Sequence, residues 1–330
     1  MILITGGAGY IGSICALKLL EKGFDVVVFD NLSASNSYAI EYLSEYKNFK
    51  FVKGDLLKLK DLRKLFKEYK IDICFHLAAC SSITEFVKNP QKNYAQNIYG
   101  TMNLLYSMIE NDVKKFIFSS SASVYGNIST VPIKEEGNFK PINPYGKTKY
   151  ITEEIIKDFS KIYGLEYVIL RIFNVAGANT KSKLGEINNS EVHLISNIMK
   201  SILENKKIYI YGDNFKTKDG TCIRDYVDIE DLANAGVLAV KYLENGGKKD
   251  IFNIGTGKGY SVKEIIEYCE KITAQKIDFE VVSKREEDPD VLVADNTKAK
   301  EVLGWIPEKE VETSIRTAYE FEKFLLLDKH

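Results

Sequence analysis

The chain reads as an α/β protein, a doubly wound parallel sheet joined to a second, smaller α/β unit. Three observations predict this class. Short apolar runs alternate with helical stretches from residue 1 to residue 171. The runs are mainly apolar, as strands covered on both faces require. The first strand-to-helix turn carries Gly6, Gly9 and Gly12 at three-residue intervals.

Each element follows from local pattern. Residues 1–5 form a short apolar strand, and a helical pattern runs from residue 10 to about residue 22. Residues 24–30, 49–53, 71–78, 115–120 and 167–171 read as further strands, with the clearest helices at 94–111 and 145–163. Such alternation builds parallel sheets. Beyond Arg171 the rhythm changes. Residues 173–190 read as loop, followed by a helix at 191–204, a strand at 208–211, a polar loop at 212–220, a strand at 221–227 and a helix at 228–243. The remainder reads as a smaller mixed unit, with apolar runs at 251–254 and 277–282 and an amphipathic terminal helix at 311–327. A division between residues 1–173 and 174–330 is expected, with the chain free to cross back between the units and a cleft between them.

Composition narrows the class. The 330 residues suffice for one large or two ordinary domains, and 45% hydrophobic with 28% charged residues supports a sizeable core. A net charge of −1, from 45 basic and 46 acidic residues, argues against nucleic acid or an anionic membrane as partner. Cys15, Cys74, Cys80, Cys222 and Cys269 are odd in number and widely spaced, which fits a reducing compartment better than a disulfide framework. Three scattered histidines offer no metal constellation, and no apolar run approaches the ~20 residues of a membrane span. A cytoplasmic location is expected.

The glycine turn points to a dinucleotide. Gly6 permits the tight turn, Gly9 lets backbone approach a pyrophosphate, and Gly12 allows close helix–strand packing, the Rossmann-type fingerprint. The helix that follows presents N–H groups and its positive dipole end to phosphate. Asp30 ends the second strand, 18 residues after Gly12. A carboxylate there accepts hydrogen bonds from the adenosine ribose and repels a 2′-phosphate, which favours NAD over NADP. Asp55, in Gly54-Asp55-Leu56, follows the third strand and is placed either to accept from an adenine amino group or to stand as a solvated loop acid. Leu77-Ala78-Ala79 follows the fourth strand, where small residues leave room for a cofactor.

Tyr145 and Lys149 stand four residues apart, about one helical turn, so they share a face. A neighbouring ammonium favours phenolate and lowers the phenol's pKa toward neutrality, which makes a base. Lys147 points elsewhere. The same spacing recurs at Tyr46/Lys50 and Tyr319/Lys323, but the first runs out of a helix into a strand and the second lies on the terminal helix. The middle copy alone lies close behind a serine run at a strand's carboxyl end, residues 119–126, where Ser121 can bond a substrate oxygen.

At this point the sequence resembles the extended short-chain dehydrogenase/reductase superfamily, and within it the UDP-glucose 4-epimerases (UDP-galactose 4-epimerases), over essentially its whole length. The resemblance rests on Gly6 to Ser13, Phe29-Asp30-Asn31-Leu32, His76-Leu77-Ala78-Ala79, Ser119 to Gly126 and Asn143 to Lys149. More specific are the runs from Leu170 to Ala178, with Arg171-Ile172-Phe173-Asn174, and from Asp219 to Val227. It implies catalytic roles for Tyr145, Lys149 and Ser121. It implies cofactor contacts from Gly6, Gly9, Tyr10, Ile11, Gly12, Asp30, Asn31, Asp55, Leu56, Leu77, Ala78, Ala79, Asn97, Ser119, Tyr145, Lys149 and Phe173. For the UDP-sugar it implies Arg224, Arg285 and Asn174 on the diphosphate, Asp288 on the uridine ribose, Tyr211 near uracil and His193, with Ser121 and Tyr145, at the sugar. Residues 1–173 would bind NAD and residues 174–330 the UDP-sugar, in a homodimer paired through the helices at 94–111 and 145–163. Ile155, Ile156 and Phe159 would face either the partner or the sheet.

Two positions depart from some family members: Ser81 stands where some have lysine near the cofactor, and Leu292 where some have tyrosine. The reaction implied inverts C4 of a UDP-hexose through a 4-keto intermediate, and Leu292 suggests room for N-acetylhexosamines. Ala122-Ser123 occupies the place where related 4,6-dehydratases carry acids, which weakens that alternative. A UDP-glucuronate 4-epimerase and a catalytically inactive NAD-binding sensor remain as the other readings.

Overall fold

The computed structural model describes residues 1–34, 37–81, 86, 88–137, 139–187, 193–285 and 288–327. Seven parallel strands form the main sheet. In chain order they are β1 (Ile2–Thr5), β2 (Val26–Asp30), β3 (Phe49–Lys53), β4 (Ile73–His76), β5 (Lys115–Ser121), β6 (Glu166–Ile172) and β10 (Lys249–Ile254), and in space they run β10-β6-β5-β4-β1-β2-β3. Strand order therefore reverses at β1, which pairs with β2 on one side and β4 on the other. Such switch points open a crevice at the strands' carboxyl ends.

The apolar strands demand cover on both faces. One face carries α1 (Tyr10–Glu21), whose residues Gly12 to Leu17, Leu19 and Leu20 are buried, with α8 (Ile229–Glu244) against it. The other carries α3 (Leu59–Glu68), α5 (Gly100–Glu110) and α6 (Pro144–Tyr163), around Leu62, Leu65, Leu104, Met108 and Ile156. A short α2 (Tyr38–Leu43) packs beside α1. A short α4 (Pro90–Tyr94) runs into α5 through a π segment at Ala95–Tyr99, so the helix expected at 94–111 is present and begins earlier, at Pro90.

After β6 come β7 (Asn174–Ala176), α7 (Leu194–Glu204), β8 (Ile208–Tyr211), β9 (Ile223–Asp228), β11 (Gly259–Ser261), α9 (Val262–Thr273), β12 (Phe279–Val282), β13 (Val291–Leu292) and α10 (Val311–Leu327). These enclose a second core of Ile195, Ile198, Met199, Ile210, Ile265 and Ile315. Residues 191 and 192, expected to start the helix before residue 204, lie outside the described residues. Strand β7 interrupts the stretch expected to be loop, pairing with β9.

One expectation needs correction. The apolar run at 251–254 belongs to the main sheet, where β10 pairs with β6 over Lys249 to Ile254, and not to the smaller unit. Helix α8 returns with it, and Gly236 explains the close approach: a Cβ there would lie 2.8 Å from Phe75. Ile156 is fully buried toward the sheet, with Ile155 and Phe159 packed on the same cluster. The exposed apolar residues of these helices are Met102, Tyr106, Ile151, Ile162 and Tyr163, with Tyr99 in the π-turn.

Candidate active site

The glycine turn has the form its sequence predicts. Gly6 has φ +72°, and a Cβ there would stand 2.6 Å from the Ala78 backbone nitrogen. A Cβ on Gly12 would stand 2.1 Å from the Gly6 carbonyl oxygen, so β1 and α1 approach as closely as glycine allows. A Cβ on Gly9 would meet just the Gly6 oxygen at 3.4 Å, so backbone here opens to the crevice. No described side chain caps the first turn of α1, which leaves its N–H groups for a phosphate. The cradle therefore fits a dinucleotide.

Asp30 stands beside it. One carboxylate oxygen accepts from the Ala8 N–H (3.1 Å) and the other from the Leu32 N–H (2.8 Å), which fixes its position against the turn. Asn31 closes the next turn on the Ser33 N–H (3.0 Å). Asp55 likewise accepts from the Leu57 N–H at 3.0 Å, and the Leu56 carbonyl is held by Asn103 at 2.9 Å. The Tyr10 hydroxyl donates to the Gly177 carbonyl at 2.6 Å, a tie across the two halves of the chain. Leu77 donates to Thr5, and Ala79 is exposed beyond it. Asn97 is tied to its neighbours. Its amide is spent on the protein, bonding the Cys80 N–H (2.8 Å), the Cys80 carbonyl (3.0 Å) and the Thr148 hydroxyl (3.0 Å). It shapes the crevice wall by holding the loop after β4 to α6.

Helix α6 delivers the central pair. Asn143 caps it by accepting from the Gly146 N–H at 2.7 Å, and Pro144 takes the first helical position. A Cβ on Gly146 would lie 2.4 Å from the Ser123 carbonyl oxygen, so the first turn sits directly on the serine run. Lys149 is 3% exposed. Its Nζ donates to the Ser119 carbonyl at 2.5 Å and lies 4.7 Å from the Phe118 ring centre and 5.8 Å from that of Tyr145.

The electrostatics correct the simple reading of this pair. Burial pushes the Tyr145 phenol up to about 12, with a hydrogen bond to Ser121 working against it. Burial pulls Lys149 down to about 7, with the Glu153 carboxylate opposing. Desolvation dominates both shifts: Lys149 is buried behind the half-buried Tyr145, and its ammonium is drawn to the Ser119 carbonyl. Within the protein alone the phenol is not lowered toward neutrality. Lys147 is exposed, Tyr46/Lys50 spans the turn into β3, and Lys323 lies over the Tyr319 ring on α10, away from the site.

A cleft of about 470 Å³ runs from Ser121 and Tyr145 past Phe173 and Asn174 to His193, Tyr211, Arg224, Arg285 and Asp288. Ile11 and Ser81 line its cofactor end. Asn174 opens β7, and Arg224 in β9 is register partner of Leu292 in β13, which places Leu292 in the cleft wall. Arg224 donates to the Pro289 carbonyl (2.8 Å) and to Asp288 (3.4 Å). The Arg285 guanidinium lies 3.6 Å from the Tyr211 ring centre. Residues 286 and 287 of that motif lie outside the described residues. His193 pairs with Glu186 at 2.6 Å, and this carboxylate outweighs burial and holds the imidazole above its ordinary pKa.

The sequence reasoning missed Glu186, Glu153 and the partnership of Glu153 with Arg171. Glu153 carried a signal, as it continues the 145, 149 spacing by one more turn. Arg171 carried another, as a charge within an apolar strand. Glu186 sits in irregular chain and carried none.

The family model described as GDP-mannose 4,6 dehydratase matches residues 3–318. A UDP-glucose 4-epimerase of Lactobacillus helveticus is 43% identical over 324 residues, covering 98% of this chain and 97% of the relative. The structure of a UDP-glucose-4-epimerase from Stenotrophomonas maltophila, with bound NAD and formylated UDP-arabinopyranose, superposes with a TM-score of 0.94 at 32% identity, covering 99% of each chain. That of a UDP-glucose 4-epimerase from Bifidobacterium longum, in complex with NAD+ and UDP, gives 0.92 at 34% identity, covering 98% of each. Similarity of sequence and fold over nearly full length on both sides means that the chain belongs to the UDP-glucose 4-epimerase family.

Proposed function

We propose that the protein interconverts UDP-galactose and UDP-glucose with bound NAD. The observation that carries this is that Tyr145 and Ser121, with Lys149 buried behind them on the Ser119 carbonyl, share one cleft with Asn174, Arg224 and Arg285. The first group suits proton removal from a sugar hydroxyl, and the second suits a diphosphate, which needs charged donors.

Gly6, Gly9, Tyr10, Ile11, Gly12 and Asp30 hold the adenosine and pyrophosphate half of NAD, with Asn31, Asp55, Leu56, Leu77, Ala78 and Ala79 along the crevice. Ser119, Phe173, Tyr145 and Lys149 stand at its nicotinamide end. NAD supplies the acceptor for the hydrogen removed from sugar C4 and the donor that returns it. Tyr145, as phenolate, removes the proton of the 4-hydroxyl. Ser121 holds that oxygen while charge moves, and protonated Lys149 favours the phenolate. Arg224, Arg285 and Asn174 grip the diphosphate, Asp288 takes the uridine ribose, and Tyr211 backs the base. The sugar, gripped mainly through its nucleotide, rotates as the 4-ketone to present its other face.

Two finer points belong to the same reading. Leu292 makes the sugar end wide enough for UDP-N-acetylglucosamine. The exposed stripe of Tyr99, Met102, Tyr106, Ile151 and Ile162 supports a homodimer paired through α5 and α6, and the free cysteines fit a cytoplasmic protein. Incubation with UDP-galactose and identification of the product sugar tests the function: UDP-glucose is expected, and unchanged substrate or a dehydrated sugar refutes it. Sedimentation tests the dimer.

A further inference from the structure

We propose that Glu153 is a positioning residue: its carboxylate, balanced by Arg171, takes the Ser120 hydroxyl and locks the end of β5 onto α6, holding Ser121 against Tyr145 and the Ser119 carbonyl against Lys149. The identity of the reaction rests on the function proposed above.

Glu153 and Arg171 are 0% and 1% exposed. Arg171 engages both carboxylate oxygens, Nε to Oε1 at 3.1 Å and Nη2 to Oε2 at 2.7 Å, and Ser120 donates to Oε1 at 2.5 Å. Consecutive residues of one strand end are thus clamped to consecutive turns of one helix, Ser119 by Lys149 and Ser120 by Glu153. The clamp has a second anchor. Arg171 Nη1 donates to the Tyr125 hydroxyl (3.2 Å) and the Glu135 carbonyl (2.8 Å), and Tyr125 bonds Asn253 of β10.

Stability gives no reason for this arrangement, because a buried ion pair is commonly matched or bettered by apolar residues of the same volume. What the ion pair supplies is fixed geometry where a small misplacement slows the chemistry. It also supplies charge. Facing Tyr145 and Lys149 are His76 from β4, held neutral by burial with its pKa down to about 3, Cys80 from the loop after β4, the serines of β5, and Glu153. Glu153 is the anion among these groups, so it favours the protonated state of Lys149.

The test uses the holoenzyme with Ser120→Ala and Glu153→Gln. Ser120→Ala removes the tie without stranding a charge, and is expected to lower kcat about tenfold with KM within about twofold. It should also move the Tyr145 phenolate titration, read as the absorbance difference from a Tyr145→Phe companion, to higher pH. Glu153→Gln keeps the acceptor but removes the charge, so Lys149 loses its proton more readily and the alkaline limb of the pH–kcat profile moves to lower pH. If Glu153→Gln does not fold, Ser120→Ala decides. A folded Ser120→Ala protein with parental kcat and phenolate titration, or with its loss confined to KM, overturns the proposal. If the parent itself does not turn over UDP-galactose, the proposed function fails, while the phenolate titration still decides the role of Glu153.

Discussion

Lys149→Met should stabilise the protein freed of NAD while abolishing turnover. Burial lowers Lys149 from its ordinary 10.5 to about 7 even with Glu153 beside it. At 1.36 kcal/mol per pH unit, that difference of about 3.5 units is ~5 kcal/mol of unfavourable charge burial. Methionine fills a similar volume without a charge, but it forfeits the bond to the Ser119 carbonyl, a loss of about 1–2 kcal/mol. The net gain is ~3 kcal/mol. The sign follows from proton counting. Between pH 7 and 10.5 the unfolded chain holds the Lys149 proton and the folded chain does not, so parental stability rises with pH across that window. The penalty is complete below about pH 7 and gone above about pH 10.5, so the advantage of the variant is largest near pH 6 and in alkali gives way to a small deficit from the lost Ser119 bond. Urea unfolding of both proteins across this range measures it. A variant less stable than its parent near pH 6, or a difference independent of pH, would refute the reasoning. NAD must be removed first, because a ligand of the folded state adds its own pH-dependent stabilisation.

Four further outcomes are expected. Tyr145→Phe should keep NAD and UDP-sugar binding and lose about 10²–10⁴ in kcat, and near-normal turnover would remove the phenol from its role. Gly12→Ala drives a methyl to 2.1 Å from the Gly6 oxygen. It should purify with little NAD, seen in the absorbance spectrum, and with a lowered melting temperature. Arg285→Ala should raise KM for UDP-galactose about 10- to 100-fold with kcat largely kept, the worth of one charge-assisted contact. Leu292→Tyr should suppress turnover of UDP-N-acetylglucosamine and leave UDP-galactose within about threefold, as competition of the two substrates measures.

Much of the site was legible because its logic is local. Gly6, Gly9 and Gly12 follow a strand, Asn143-Pro144 opens a helix, and Tyr145 and Lys149 lie one turn apart. Strand-end chemistry at Ser121 and Asp30 needed just the alternation of elements. What escaped depended on partners far along the chain. Nothing in residues 249–254 says which sheet they join, since an apolar strand fits either. Likewise nothing next to Asn97 in the chain says that its amide bonds Cys80 and Thr148.

The sequence by itself determined the parallel α/β class, the glycine turn, the one-turn spacing of Tyr145 and Lys149 and, through resemblance, the family and the residues proposed for the far end of the cleft. Tertiary structure decided the return of β10 and α8 to the main sheet, the clamp of Glu153 and Arg171 behind the serine run, and the protonation balance of Tyr145 and Lys149. The reason is physical. Periodicity and capping are set by neighbours in the chain, whereas desolvation and charge pairing sum over residues that only folding brings together, and at Tyr145 that sum reverses the sign the local spacing suggested.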